Sequence, residues 1–238
     1  MLAQGRVSPD RHVPTTVERA LKSLRKRGFR PAFAVDVGAY HGEWTTAFKG
    51  IFADARVLMI DALDDKRPVL EATVARLGPS VDFRIALLGP RAGVSVRFVE
   101  MESGSSVYEE QSPYPRRVVE KTATTLDAVL ASCDRPVDFL KLDVQGYELE
   151  VLKGGEHVLS QPEAVLLEAS LVPTNAGTPL VADVVRFMDD RGFRLVDVCG
   201  EIRRRDGVLW QADLLFLRTT SRLMPAAGLT EDNWASVD

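Results

Sequence analysis

The 238-residue sequence contains two cysteines, no long apolar run and no large excess of charge of either sign. Cys133 and Cys199 are far apart and form no CxxC pattern, which excludes a disulfide scaffold and a cysteine-based zinc site and suits a reducing compartment. No apolar run reaches the roughly 18 residues that a membrane helix needs. Residues 1–14 are polar and lack the apolar stretch of a signal peptide. We therefore expect a cytoplasmic protein without a membrane partner.

Charge and composition narrow the class of protein further. There are 30 basic and 34 acidic residues, whereas a general nucleic-acid-binding protein needs a cationic surface to displace counterions. Aliphatic, aromatic and cysteine residues make up 45% of the chain, as in an ordinary globular protein. The three histidines are scattered and lack the spacing of metal ligands. We expect no nucleic-acid partner, and the length allows one α/β domain or two small ones.

Short apolar runs that end in polar or glycine residues alternate with segments of helical periodicity. The five predicted strands of the parallel sheet cover residues 32–37, 56–61, 81–87, 138–144 and 164–168, followed by a hairpin of residues 193–198 and 208–217. Residues 93–99, with alternating apolar positions, form a predicted extra strand. The predicted helices cover residues 15–27, 43–52, 65–77, 148–159 and 180–191. Strands joined by helices form right-handed crossovers and a mostly parallel sheet, whose ligands bind beyond the carboxyl ends of the strands.

The first predicted strand ends in the sequence DVGAYHG, residues 36–42. Gly38 lets the backbone turn sharply and come close to a ligand, and the helix that Gly42 opens presents free N–H groups to it. Tyr40 stands where the dinucleotide fingerprint requires a glycine, so that fingerprint is not met. Asp36 suits a ligand with positive charge, such as the sulfonium and ammonium groups of S-adenosylmethionine. The alternative is an ordinary turn between a strand and a helix.

Asp61 closes the second predicted strand, about 20 residues after the glycine loop, where dinucleotide-binding folds place an acidic residue. A carboxylate in this position can accept hydrogen bonds from both hydroxyl groups of a ribose. The alternative is that Asp61 caps the following helix, although Asp64 lies closer to the start of that helix. We therefore predict that Asp61 binds the ribose of a cofactor.

Charged residues also mark the ends of the fourth and fifth predicted strands. Lys141 and Asp143 share one face of the fourth strand, because side chains alternate along a strand. Glu168 ends the fifth strand, so Asp143 and Glu168 are predicted to face one cleft. Two such carboxylates can position a hydroxyl group, act as a base or hold a divalent cation, but without a third ligand we predict no metal. For Lys141 and Glu148 the alternative is a buried ion pair that only stabilises the strand end.

Several segments, in this order along residues 33–218, resemble the FkbM family of S-adenosylmethionine-dependent methyltransferases. The most specific segment is FLKLDVQGYELEVLKGG, followed by VLLEASLVP. The others are DVGAYHG, IALLGPRAGVSVRF, GSSVYEE, TTLDAVL and QADLLFLR. Because the segments occur in register, together they are more specific than any one of them.

The resemblance implies an α/β, Rossmann-like fold: a seven-stranded, mostly parallel sheet in the order 3-2-1-4-5-7-6, with the last strand antiparallel and helices on both faces. The methyltransferase domain would span residues 31–218, between an N-terminal arm and helix (residues 1–30) and a peripheral tail (residues 219–238). The implied cofactor is S-adenosylmethionine, bound by Asp36, Gly38, Ala39, Tyr40, Gly42, Asp61, Ala62, Ala86, Leu87 and Asp143. The implied reaction is O-methylation of a sugar or natural-product hydroxyl, by a chain that could also form a homo-oligomer.

The sequence departs from the family pattern at three positions. Asp61-Ala62 replaces a common Glu-Pro, which keeps a carboxylate on a shorter side chain. Gln145 replaces a common Glu, so we do not predict a base at that position. Asn175 stands where an aromatic residue is common, in a loop expected to touch the substrate. The resemblance therefore says least about the identity of the acceptor.

An alcohol is a poor nucleophile, so in-line transfer of a methyl group to a hydroxyl calls for a base within hydrogen-bond reach. Asp143 is the first candidate for that base, followed by His41 and Glu168. The long, non-periodic segment of residues 100–121 is predicted to cover the acceptor site. The expected acceptor contacts are Ser105, Ser106, Tyr108, Gln145 and Asn175.

Two other functions remain open at this point. An NAD-linked oxidoreductase would have the same kind of fold, but the missing G-x-G argues against it. A non-catalytic S-adenosylmethionine-binding protein is the second alternative, against which the retained Lys141, Asp143 and Glu168 argue.

Overall fold

The computed structural model describes residues 16–101, 104–108, 116–173, 177–225 and 227. Its strands are β1 Phe33–Val37, β2 Arg56–Asp61, β3 Val81–Ile85, β4 Ser95–Glu100, β5 Arg117–Thr122, β6 Phe139–Leu142, β7 Ala164–Ser170, β8 Phe193–Arg203 and β9 Leu209–Arg218. Its α-helices are α1 Val17–Lys26, α2 Glu43–Ile51, α3 Arg67–Leu77, α4 Leu126–Leu130, α5 Glu148–Lys153, α6 Glu156–Leu159 and α7 Val181–Asp189. One turn of 3₁₀ helix, Asp64–Lys66, precedes α3.

Seven of the strands form one sheet in the order β3-β2-β1-β6-β7-β9-β8. The first five are parallel to one another, and β9 runs antiparallel to both β7 and β8. Numbered within the sheet alone, this order is 3-2-1-4-5-7-6 with an antiparallel last strand. The predicted fold class and strand order are therefore confirmed.

Helices cover both faces of the sheet and bury two separate cores. Val35 and Val37 of β1 pack on the side of α4–α7, whereas Ala34 packs on the side of α1–α3. This division follows from the alternation of side chains along each strand. Strands buried on both faces need apolar residues on both faces, which explains the continuous apolar runs in the sequence. Within the described residues, no helix combines the length and apolar character needed to cross a bilayer.

The segment of residues 100–121, predicted to be a loop without periodic structure, contains a strand, and that part of the prediction is wrong. β5 pairs antiparallel with β4 in a separate two-stranded sheet, so the predicted extra strand at residues 93–99 has a partner. Phe98 of β4 packs on Leu63 and Leu87, which places this small sheet against the ends of β2 and β3. Strand formation here depends on the distant partner, and the local pattern of β5 does not reveal it.

The predicted helix of residues 148–159 is divided into α5 and α6 at Gly154-Gly155. A side-chain carbon at Gly154 would overlap the carbonyl oxygen of Gly89, and one at Gly155 would lie 2.8 Å from Leu126. The break therefore occurs where the chain passes close to two other segments. After β9, the side chain of Leu223 is buried in the core on the side of α1–α3.

Candidate functional site

A cavity with about 700 Å³ of empty space, open on one side, lies beyond the carboxyl ends of β1, β2 and β6. Nine residues of the predicted site line it: Gly38, Tyr40, Asp61, Ala62, Ala86, Leu87, Ser105, Asp143 and Gln145. The sequence prediction missed the rest of the cavity wall, which is mostly apolar: Val37, Ile60, Leu63, Leu88, Phe98, Val107, Val144, Tyr147 and Val151. Tyr147 and Val151 belong to the most specific segment of the sequence, which was the available signal for them.

Gly38 lies at the point where β1 and β6 end side by side. Its φ of +75° is in the left-handed region, and a Cβ at this position would overlap the carbonyl oxygen of Asp143. The backbone N–H of Asp143 in turn donates to the carbonyl oxygen of Val37 at 3.0 Å. Only glycine satisfies both the dihedral angle and the close approach, so the backbone itself forms this part of the cavity wall.

Ala39 and Gly42 shape the loop from behind the cavity wall. The N–H of Gly42 donates to the carbonyl of Ala39 at 2.7 Å, and Ala39 is buried in the core. Gly42 has a φ of +75°, and a Cβ there would lie 2.8 Å from the methyl group of Thr73. The structure thus gives these two residues a role in closing the turn before α2.

Asp61 is on the cavity wall and is 6% exposed. Its Oδ2 accepts from the N–H of Tyr40 at 2.7 Å, and its Oδ1 accepts from the N–H of Leu63 at 2.9 Å. Burial raises the pKa of this carboxyl group, and the two backbone donors partly oppose the effect. A carboxylate oxygen has room for more than one donor, so Asp61 can still accept from a ligand hydroxyl.

Tyr40 is held in the left-handed region at a φ of +49°, which is uncommon for a residue other than glycine. Its ring stacks on that of His41 at 3.7 Å, and the Nζ of Lys66 lies 4.5 Å from its centroid. His41 itself is outside the cavity wall, and its Nδ1 lies 4.0 Å from Oε1 of Glu43. The structure therefore places the second candidate base against Tyr40 and away from the cavity.

Asp36 and Lys141 form a buried ion pair behind the cavity wall. The Nζ of Lys141 lies 3.0 Å from Oδ1 of Asp36 and donates to the carbonyl of Gly38 at 2.9 Å. Thr45 donates to Oδ2 of Asp36 at 2.7 Å. Burial lowers the pKa of Lys141, but the carboxylates of Asp36 and Asp143 outweigh it and raise the pKa overall. Asp36, predicted as a cofactor contact, is fully buried. Lys141 forms the buried ion pair that the sequence left open as its alternative role.

Asp143 and Glu168 are bridged by a third residue, but only Asp143 faces the cavity, in contrast to the prediction that both face one cleft. Gln145 donates from its Nε2 to Oδ1 of Asp143 and to Oε1 of Glu168, both at 3.0 Å. Asp143 lines the cavity, and its side chain is 36% exposed. Glu168 is buried and outside the cavity wall, and it also accepts from Nε2 of Gln211 at 2.7 Å. Of the two carboxylates, Asp143 is therefore the one that can touch a ligand.

Two further acidic residues, missed as site residues by the sequence prediction, complete a carboxylate cluster of Asp143, Glu148, Glu168 and Asp213. Glu168 of β7 is paired directly with Asp213 of β9, and Gly200 of β8 leaves room for the Asp213 carboxylate. An acidic residue within the mostly apolar segment QADLLFLR was the signal available for Asp213. Glu148 accepts from the backbone N–H groups of Val144 at 2.8 Å and Gly146 at 3.2 Å.

Three members of the carboxylate cluster, Glu148, Glu168 and Asp213, have pKa values above the ordinary range of carboxyl groups. Burial raises the pKa of Glu148 to about 7 and that of Asp213 to about 6, and the charge of Asp143 adds to both shifts. The pKa of Glu168 is also raised, first by burial and then by the carboxylates of Asp143, Glu148 and Asp213. These shifts have the direction expected when several acidic groups share a desolvated region.

The predicted acceptor contacts are only partly on the cavity wall. Ser105 lines the cavity, and its Oγ accepts from the N–H of Met101 at 2.7 Å. Ser106 is buried and donates to the carbonyl oxygen of Gln145 at 2.9 Å. The ring of Tyr108 packs edge to face on the cavity-lining Tyr147, with 5.5 Å between centroids. Asn175 lies outside the described residues, as do residues 102–103 and 109–115.

The sequence matches the family described as the methyltransferase FkbM domain over residues 36–195, more than half of the chain. The chain belongs to this methyltransferase family. Its cofactor is S-adenosylmethionine, and the NAD-linked alternative is set aside. A search of curated proteins finds no match for the chain.

Solved methyltransferase structures share the fold. Precorrin-6y C5,15-methyltransferase from Geobacter metallireducens matches with a TM-score of 0.50 and 11% identity, over 89% of this chain and 93% of that one. Magnesium protoporphyrin IX methyltransferase from Synechocystis PCC 6803, solved with bound S-adenosylmethionine, has a TM-score of 0.50 and 13% identity, over 84% and 79%. An O-methyltransferase family protein from Burkholderia thailandensis matches with a TM-score of 0.50 and 14% identity, over 85% of this chain and 55% of that one. At these identities the likeness shows the fold alone.

The residues of the cavity fit S-adenosylmethionine. Gly38 leaves its stretch of cavity wall without a side chain, and Asp61 offers a carboxylate to a ribose. The apolar side chains of Ile60, Ala62 and Leu87 provide a surface for a flat base. Among the described residues, no group of three or more His, Cys, Asp or Glu side chains is arranged to hold a metal ion.

Proposed function

We propose that this methyltransferase transfers a methyl group to a hydroxyl of a sugar or natural-product acceptor. The observation that carries the proposal is the carboxylate of Asp143, which lies on the cavity wall at the end of β6. Hydroxyl acceptors need a group that takes up their proton because they are poor nucleophiles, whereas a neutral amine already has a nucleophilic lone pair. Asp143 has the position and the chemistry for that step.

The cofactor would lie along the ends of β1 and β2. Gly38 would let the backbone approach it, Asp61 would bind its ribose, and Ala62, Ala86 and Leu87 would contact its base. When bound, S-adenosylmethionine supplies a methyl group on a sulfonium. The protein would hold the acceptor in line with that methyl group, and this positioning supplies much of the rate acceleration.

The acceptor would lie between Asp143 and the aromatic pair of Tyr108 and Tyr147. Tyr rings provide flat apolar surface with a polar edge, which suits a sugar or a hydroxylated ring system. Ser105 and the side-chain oxygen of Gln145 add uncharged polar contacts. The carboxylates behind Asp143 would repel an anionic acceptor, so the site favours a neutral one.

The test is transfer of labelled methyl groups from S-adenosylmethionine to a panel of methyl glycosides and hydroxylated polyketides, with amines and RNA included for comparison. The variant Asp143→Asn keeps the shape of the side chain but removes the base. We expect turnover to fall by about 10²–10⁴-fold, while the affinity for S-adenosylmethionine, measured by calorimetry, changes little. Asp134→Asn, in an exposed surface pair with Arg56, is the matched control.

Unchanged turnover in Asp143→Asn would reject its role as the base. Methylation of amines or RNA in preference to alcohols would reject the acceptor class. Binding of S-adenosylmethionine without transfer to any acceptor of the panel would favour the non-catalytic alternative. We also infer a reducing, cytoplasmic location, since Cys133 and Cys199 are both free thiols.

A further inference from the structure

We propose that Gln145 is a positioning residue for the methyl-transfer step: its uncharged amide bridges Asp143 and Glu168 and thereby sets the orientation of the Asp143 carboxylate. This inference rests on the proposed function for its catalytic meaning. The bridge itself is a claim about hydrogen bonds and charge, which can be tested without cofactor or acceptor.

The donor geometry leaves one consistent arrangement of the amide. Nε2 of Gln145 lies 3.0 Å from a carboxylate oxygen of Asp143 and 3.0 Å from one of Glu168. A primary amide nitrogen has two N–H groups, so each carboxylate receives one of them. Both donors of the Gln145 amide are therefore used in the bridge.

The charges around Gln145 explain why a neutral residue is needed. Its partner Glu168 of β7 interacts electrostatically with Asp143, with Lys141 of β6, with Glu148 of α5 and with Asp213 of β9. The nearby amine of Lys141 is already in the ion pair with Asp36, and it is 3.7 Å from Oδ2 of Asp143. Another carboxylate between Asp143 and Glu168 would add repulsion without a new cation, whereas an amide adds two donors.

The backbone of Gln145 is held in place as firmly as its side chain. Its φ of +55° is in the left-handed region, which is unfavourable for a residue with a Cβ. Ser106 donates to its carbonyl oxygen at 2.9 Å, and Glu148 binds the N–H groups of the two residues on either side of it. Strained backbone of this kind persists where surrounding contacts hold it, and it is concentrated at functional sites.

The first experiment measures the thermal unfolding midpoint of wild type, Gln145→Glu and Gln145→Met at pH 5.5 and pH 8.5. In Gln145→Glu the neighbouring carboxylates favour the protonated form of the new group in the folded protein, so stability is lost as the pH rises. We expect its midpoint to match wild type within about 2 °C at pH 5.5 and to lie at least about 4 °C below it at pH 8.5. Gln145→Met loses both hydrogen bonds and should be lower by a similar amount at both values.

Gln161→Glu is the matched control, because Gln161 is a partly buried glutamine outside the carboxylate cluster whose side-chain oxygen accepts from the N–H of Val137. A carboxylate can accept that bond equally well, so its midpoint should follow wild type at both pH values. A Gln145→Glu midpoint that also follows wild type at both values would overturn the bridge.

The second experiment separates positioning from acceptor binding. It measures kcat and KM of Gln145→Met with the glycoside or alcohol of the panel that wild type methylates fastest. A positioning role predicts a fall in kcat of about 10–100-fold with little change in cofactor affinity. A change confined to KM would show that Gln145 is only an acceptor contact and would overturn the positioning role. If wild type methylates no alcohol, the proposed function fails, and the unfolding experiment still decides on the bridge.

Discussion

The two sides of the cavity are held by different kinds of interaction. On the proposed cofactor side, at the ends of β1 and β2, Asp61 accepts from two backbone N–H groups, and the turn at Gly38 depends on the absence of a Cβ. On the proposed acceptor side, Gln145 bridges Asp143 and Glu168, and the Nζ of Lys141 lies 3.7 Å from Oδ2 of Asp143. One side is therefore held by backbone hydrogen bonds and steric fit, whereas the other is held by hydrogen bonds and ion pairs between buried side chains.

This difference has consequences for how each side fails. The side held by its backbone should be destabilised when a side chain is added at a crowded position, and this steric effect should not depend on pH. The side held by charged groups should be destabilised when one partner is removed or changes its protonation state, because an unpaired charge is costly in a desolvated site. Three substitutions test whether the two sides differ in this way.

The largest effect is expected from Lys141→Met, which removes the cation of the acceptor side. It leaves the enclosed carboxylate of Asp36 unpaired, and loss of one partner of a buried pair costs about 3–5 kcal/mol of unfolding free energy. Denaturant unfolding measures the loss. Lys153→Met is the control, since its partly exposed pair with Glu150 contributes about 0–1 kcal/mol. Equal losses in the two variants would contradict a side held by buried charge, and Asp36→Asn should partly rescue Lys141→Met.

The second effect tests the backbone side. Gly38→Ala should destabilise the fold by about 3 kcal/mol, because the strain of a left-handed residue and the overlap with the Asp143 carbonyl add together. Gly93→Ala is the control, since Gly93 has a φ of +77° but no atom within 4 Å of its Cβ position. That variant should lose about 1 kcal/mol, from strain alone. We expect the loss in Gly38→Ala to be the same at pH 5.5 and pH 8, together with loss of cofactor binding in calorimetry.

The smallest effect concerns protons on the acceptor side. The folded protein raises the pKa of Glu148 to about 7 and of Asp213 to about 6, so between pH 5 and pH 7 it holds protons that the unfolded chain releases. Stability from these groups is present at low pH and is lost as the pH rises through the raised values. Glu148→Gln keeps an oxygen for the N–H groups of Val144 and Gly146 and removes one such proton. The loss of stability from pH 5 to pH 8 should shrink by about 1–2 kcal/mol.

Unfolding titrations of wild type and Glu148→Gln at several pH values measure this change. Glu150→Gln is a matched control, because Glu150 lies on the same helix and pairs with Lys153 outside the carboxylate cluster. Parallel curves of stability against pH for wild type and Glu148→Gln would mean that Glu148 ionises in the folded protein as it does in the unfolded chain. In that case the acceptor side would be less dependent on protonation than the geometry indicates.

The strands of the main sheet were predictable because their signals are local, whereas their order was implied by the resemblance to the FkbM family. Buried parallel strands need apolar residues on both faces, and a glycine or a charge interrupts the apolar run at the ends of β1, β2 and β6. β5 was not predictable, because its partner β4 lies on the other side of a long connection and the pairing leaves four of the six residues of β5 exposed. The break between α5 and α6 was also hidden, since it comes from the approach of Gly89 and Leu126.

The site residues divide in the same way. The loop at Gly38 and the strand-end carboxylate Asp61 could be located from residue type and spacing, and both line the cavity. Asp36 and Glu168 could be located equally well from the sequence, but their burial behind the cavity wall could not be predicted. His41 lies outside the cavity wall, and Asp213 of β9 is paired with Glu168 of β7. Both placements depend on elements that are far apart in the chain.

Local sequence patterns were thus enough for the alternation of strands and helices and for the strand ends at which the cavity lies, while the resemblance of several motifs supplied the family and the strand order. The alternation follows from the periodicity of apolar residues, and the turns at the strand ends follow from glycines that relieve local backbone constraints. Which carboxylate reaches the cavity, and which stays paired behind it, emerged only once β6, β7 and β9 lay side by side. The charge state and orientation of a buried group depend on its neighbours in space, and those neighbours come from segments that the sequence leaves far apart.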